Sequence, residues 1–116
     1  MKDNVVKDKS LEFAVRIVNL YKFLVNEQKE FVMSKQILRS GTSIGANIRE
    51  AEQAQSRADF INKLNIALKE ANETEYWLEL LIRTEYITRE QYESINNDST
   101  AINKLLISII KTTKNN

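Results

Sequence analysis

Three cations on one side of a helical segment are the residues of this chain best suited to chemistry. Lys35, Arg39 and Arg49 fall within about 40° of one line at 100° per residue, with Ala46 among them. Cations grouped around a small residue can meet a phosphate, and the ligand class that fits is RNA or DNA. The same side chains equally suit a solvated face, and Arg39 and Arg49 equally suit ion pairs across an interface. Glu50, Glu52 and Glu75 are the other candidates. Metal sites in helix bundles pair such carboxylates with histidine in a Glu-x-x-His arrangement, and the chain has no histidine and no cysteine. It also lacks a glycine-rich phosphate loop. The residues therefore predict a protein that is not an enzyme, with no cofactor and no metal.

Beside the cations runs a second stripe. Gln36, Ser40, Ser43, Asn47 and Glu50 follow heptad spacing. Solvated helix flanks usually carry Lys and Glu, which have better helix propensity than Ser and Asn. The stripe reads either as a solvated flank or as a polar seam against another helix, from this chain or a second one. In the third helical segment Ile66, Trp77 and Leu80 lie about 200–260° from Phe60, off the expected core stripe. Exposed apolar residues that include an aromatic mark contact sites. Ser40, Ser43, Asn47, Glu50, Ile66, Trp77 and Leu80 are therefore the expected subunit interface.

Gly41 and Gly45 are the only two glycines of the chain, and both fall inside this helical segment. Each costs about 0.5–1 kcal/mol relative to alanine there. They form a ridge without side chains at the edge of the buried stripe, and the reading is close helix packing.

Four segments must position these residues. The first is expected from about Asp8 to Gln28, with Asp8 or Ser10 as its cap. Phe13, Ile17, Leu20 and Leu24 form its stripe, beside Ala14, Val18, Tyr21 and Val25. The second spans about Ser34 to Ala54, capped by Ser34, with Ile37, Gly41, Ile44 and Ile48 inward. The third spans about Arg57 to Arg83, capped by Ser56. The fourth spans about Arg89 to Thr113, opened by a capping box in Thr88-Arg89-Glu90-Gln91. The polar run Asn96-Asn97-Asp98-Ser99 leaves open whether the fourth helix is broken. Together these predict an all-α chain, an antiparallel up-down-up-down four-helix bundle, in a single domain over residues 1–116.

Composition agrees. The 116 residues contain no proline, 42% are hydrophobic, 28% are charged, and the net charge is +1. The near-absence of turn punctuation disfavours an all-β fold. No strongly basic arm stands out. The polar start and the short apolar run Leu105-Leu106-Ile107 predict a cytoplasmic protein with no secretory signal and no membrane partner.

The stretch Ser34 to Ile87, "SKQILRSGTSIGANIREAEQAQSRADFINKLNIALKEANETEYWLELLIRTEYI", resembles the 23S rRNA intervening-sequence protein family, also labelled S23 ribosomal protein. The matching positions include Gln36, Leu38, Arg39, Ser40, Ser43, Ile44, Asn47, Ile48 and Glu50. They continue with Ser56, Phe60, Leu64, Ile66, Ala67, Glu73, Leu78 and Leu80. Ala51 and Lys69 stand where the family pattern has glycine. The resemblance implies a four-helix protomer that assembles into a ring, commonly a homopentamer. It also implies relatives among the accessory variability proteins of diversity-generating retroelements, which bind nucleic acid and a reverse transcriptase. The partners expected are thus further copies of the chain and RNA or DNA, with a reverse transcriptase or another protein as the alternative.

Overall fold

Val6 lies two helical turns before Phe13, on the same face as Phe13 and Ile17, and all three are buried. That shared burial extends the first helix toward the N-terminus. The computed structural model describes residues 2–116, with side chains from residue 4 onward. Its helices are α1 (Lys2–Asn26), α2 (Met33–Glu52), α3 (Arg57–Arg83) and α4 (Arg89–Lys114). Because α1 starts six residues before Asp8, neither Asp8 nor Ser10 caps it. Ser10 is instead buried in mid-helix, and its hydroxyl donates to the Lys7 carbonyl at 2.9 Å.

The start of α2 also differs from expectation. Ser34 lies inside the helix, and the N-cap residue Val32 offers no side-chain bond. The capping group is Glu30, which is buried. Its carboxylate accepts from the backbone N–H groups of Val32 (3.1 Å), Met33 (3.0 Å) and Ser34 (2.7 Å). Three donors that would otherwise lack an intrahelical partner are thereby satisfied. Burial alone would raise the Glu30 pKa, but these N–H groups outweigh it and hold the carboxyl below its ordinary range.

The remaining ends follow the sequence. Ser56 accepts from the Asp59 N–H at 3.0 Å. Thr88 and Gln91 form the reciprocal capping box at 3.1 and 2.8 Å. Helix α4 runs unbroken through Asn96–Ser99, because Ile95, Ser99 and Ile102 are all buried there. Its burial is incomplete in one respect. Asn96 Oδ1, Ser99 Oγ and Asn103 Oδ1 are buried and find no hydrogen-bond partner among the described residues.

Each helix packs on its chain neighbours, and α1 also packs on α4, with no diagonal pair in contact among the described residues. This is the up-down-up-down bundle, 47 Å long and about 20 Å across. Phe13, Ile17, Leu24, Ile37, Ile44, Leu78, Leu81, Ile102 and Leu106 fill its centre. The glycines set the α1–α2 approach. A Cβ on Gly41 would stand 2.8 Å from Ile17 Cγ1 and Cγ2. One on Gly45 would stand 3.3 Å from Ser10 Oγ and 3.4 Å from the Ser10 carbonyl oxygen.

Gly41→Ala is expected to destabilise the bundle by about 1–3 kcal/mol, because the overlap outweighs a helix-propensity gain of about 1 kcal/mol. Gly45→Ala, with the milder contact, should shift the thermal midpoint less. Equal midpoints in the two variants would contradict the packing. Glu30 adds an acid dependence. Its folded pKa is depressed, so its stabilisation is full above the ordinary carboxylate range and is lost as pH falls through the folded value. Glu30→Gln should therefore lose stability at neutral pH and show a shallower decline in midpoint on acidification than wild type.

Candidate subunit and nucleic-acid interface

The outer face of α2 carries the cations. Lys35 and Arg49 are exposed. Arg39 is not available in the same way. Its guanidinium forks between two carboxylates of α3, Glu70 at 2.8 Å and Glu73. Hydrogen bonds from Glu73 and then Glu70 hold the Arg39 pKa above its usual value. Glu73 in turn is held low, first by the Trp77 indole N–H, which donates to it at 3.0 Å, and then by Arg39. Half of the Arg39 side chain remains exposed, so the group fixes geometry more than it stabilises. The three cations therefore stand in different settings. Arg39 is occupied within the chain, and Lys35 and Arg49 stand about 21 Å apart along α2.

The polar stripe faces α3 of its own chain. Ser40 is wholly buried, and its hydroxyl hydrogen-bonds with that of Thr74 at 2.9 Å. Its assignment to a subunit interface is corrected: α3 covers it within the chain. Ser43 and Asn47 are half-buried and bond back to their own helix, to the Arg39 carbonyl at 2.6 Å and the Ser43 carbonyl at 2.9 Å. Glu50 is exposed and lies 3.6 Å from Lys63. The other carboxylates do not converge with it. Glu52 pairs with Lys7 at 3.1 Å, and Glu75 accepts from Asn103 at 2.7 Å.

Ile66, Trp77 and Leu80 are half-buried. Trp77 rests partly on the core and meets Tyr76 edge to face, with ring centroids 5.0 Å apart. Its indole is held by Glu73, so it is less open than its wheel position predicts. Tyr76 itself is 58% exposed. A second apolar strip was not expected. Leu11 is 50% and Val15 54% exposed on the outer face of α1, beside half-buried Val18. The apolar arc of α1 is wider than its two neighbours, α2 and α4, can cover. At the far end of the bundle, a cavity of about 410 Å³ opens over Val6, Ile48, Phe60, Leu64 and Ile109. No set of catalytic groups converges on it. Among the described residues, no helix is long and apolar enough to cross a membrane.

A family model described as 23S rRNA-intervening sequence protein matches residues 2–108. A crystal structure at 1.70 Å resolution of a protein of unknown function is similar over nearly the whole chain. That protein comes from the S23 ribosomal protein family, in Bacteroides thetaiotaomicron VPI-5482. It is 99% identical with a TM-score of 0.95, and the match covers 96% of this chain and 99% of that one. No curated protein matches.

Since Ser40 is internal, Ser40→Ala should act on stability alone. The expected cost is about 0.5–1.5 kcal/mol, because Thr74 keeps its bond to the Glu70 carbonyl. Thermal melts measure that cost, and the sedimentation mass should match wild type. A changed mass would return Ser40 to the interface.

Proposed function

We propose that this chain, which belongs to the 23S rRNA-intervening sequence protein family, serves as a non-enzymatic homo-oligomeric scaffold, a pentamer by family resemblance. The observation that carries the reading is a pair of partly exposed apolar strips. Leu11 and Val15 stand out on α1, and Ile66, Tyr76, Trp77 and Leu80 line the outer side of α3. Monomeric proteins rarely leave aromatic and aliphatic groups clustered in water, and such clusters mark protein contacts. Ser43, Asn47 and Glu50 border the α3 strip on its α2 side and belong to the rim of the same contact.

RNA or DNA is the second partner of this reading. Assembly repeats Lys35 and Arg49 around a common axis, and several weak phosphate contacts then act together. The loss of Arg39 to Glu70 and Glu73 favours the competing reading, an adaptor that binds only protein, a reverse transcriptase among the candidates. Both readings place the protein in the cytoplasm.

Sedimentation equilibrium at micromolar concentration should give a mass several times 13.5 kDa. Labelled RNA should bind that assembly at low salt, and Lys35→Glu with Arg49→Glu should weaken binding at least tenfold and flatten its salt dependence. An assembly that retains no RNA even at low salt would select the protein-only adaptor. A stable monomer would remove the scaffold.

A further inference from the structure

Charge is divided along α4. Glu90, Glu93 and Asp98 all precede Ser99, and from Ser99 to Asn116 the chain holds Lys104, Lys111 and Lys114 with no carboxylate. The two halves cancel in any sum over the helix, which hides the division. The acidic half is engaged: Asp98 accepts from Arg16 at 2.6 Å, and Glu93 pairs with Arg89. The three lysines are exposed and make no ion pair among the described residues. Lys111 and Lys114 lie in the last turn, where cations suit the helix dipole. Lys104 stands well before that turn, and the dipole does not account for it.

The lysines border a groove against α3. Asn103 donates to Glu75 of α3 at 2.7 Å, which fixes the side of α4 that faces α3. Lys104, Ile107, Lys111 and Lys114 fall in one arc of about 80°, starting about 20° from Asn103. A cavity of about 360 Å³ opens there, floored by Leu68, Ile107 and Ile110 and rimmed by Asn65, Lys111 and Lys114. Ile110 is 7% exposed and Ile107 53%, so the floor slopes from the core out to solvent. No carboxylate lines it. The one acidic residue of α3 between Asn65 and Asn72 is Glu70, which turns to Arg39 of α2.

We propose that the α3–α4 groove receives an acidic amphipathic helix of a partner protein. Its apolar side seats on Leu68, Ile107 and Ile110, and its carboxylates meet Lys104, Lys111 and Lys114. This rests on the protein-adaptor reading above, adds the partner's chemistry and the surface, and requires no assembly of copies. Lys104 and Lys111 stand about 10.5 Å apart. That is one heptad, the interval at which a helix repeats a face, so carboxylates seven residues apart on the partner meet both. A helix laid along the groove between two others is a recurring mode of recognition. The row of lysines extends about 15 Å, past the cavity, whereas a small amphiphile would use only the two at its rim. An aliphatic floor offers nothing to a nucleic-acid backbone, and a flat lipid surface does not reach the recessed Ile110. The floor supplies the buried area, and the lysines select sign and register.

The probe is a labelled designed peptide of about three heptads, with Leu at a and d and Glu at e and g. Its like charges oppose pairing with itself. Fluorescence anisotropy should show saturable binding at micromolar protein, weakened about tenfold by Lys104→Glu with Lys111→Glu and about threefold by Ile107→Gln. Lys104→Glu alone, away from the helix end, should weaken binding with unchanged helical circular dichroism. The peptide rebuilt with Lys at e and g should prefer the doubly substituted protein to wild type. No binding to wild type would overturn the proposal and leave the adaptor reading to the other faces. Binding indifferent to the α4 substitutions, or equal for a peptide with Gln at e and g, would also overturn it. Labelled RNA that displaces the peptide and is lost with the same lysines would overturn both the proposal and the protein-only reading.

Discussion

The approach of α1 to α2 is the constraint on which the rest of the molecule depends. At Gly41 the backbone of α2 comes so near Ile17 that no side chain fits between them, and at Gly45 it leans on the main chain of Ser10. Packed interiors do not deform smoothly, so such a contact fixes both the spacing and the rotation of a helix. With α2 locked in this rotation, Ser40 turns inward to Thr74, Arg39 turns to the carboxylates of α3, and Lys35 and Arg49 are left outside. The surface chemistry of the protein is thus a by-product of how one helix is clamped.

Spending both glycines on a helix contact leaves none for the chain reversals. Two of these use non-glycine residues at positive φ, Lys29 at 53° and Glu85 at 66°. At the end of α3 the amides of Glu85 and Tyr86 bond back to Ile82 and Leu81 at 3.1 and 2.9 Å, the pattern that closes many helices around a left-handed residue. The conformation costs an L-residue about 1–2 kcal/mol. The loop after α1 offsets its share by burying Glu30 under the first amides of α2. Rigid turns and a rigid α1–α2 contact hold both apolar strips on fixed supports.

Much of the fold was legible in the residues because it rests on local rules. Ser56 and the Thr88–Gln91 box are read from adjacent positions, and the inward faces of α2 and α3 from a period of 3.6. The glycine ridge was legible for the same reason, since only close packing justifies its cost. What escaped the reading depends on which helix lies opposite. A wheel places Ser40 and Arg39 on arcs but does not say that Thr74, Glu70 and Glu73 stand across from them. The early start of α1 turned on whether Val6 would find cover, which is a tertiary question. Glu30 was missed because a carboxylate four residues before Ser34 caps only if the loop folds back. The strip at Leu11 and Val15 was missed because an apolar arc does not announce how much of itself its neighbours will cover.

One feature of α4 bears on motion. Asn96, Ser99 and Asn103 bring three oxygens into the interior along successive turns, and none of the three finds a donor there. Burial of such groups without partners is costly, and water is the usual remedy. Solvent drawn into that seam is stabilised on arrival, so the central turns of α4 should detach at lower cost than the glycine-clamped α1–α2 pair. Amide protons in the central turns of α4 are therefore expected to meet deuterium before those of the α1–α2 pair.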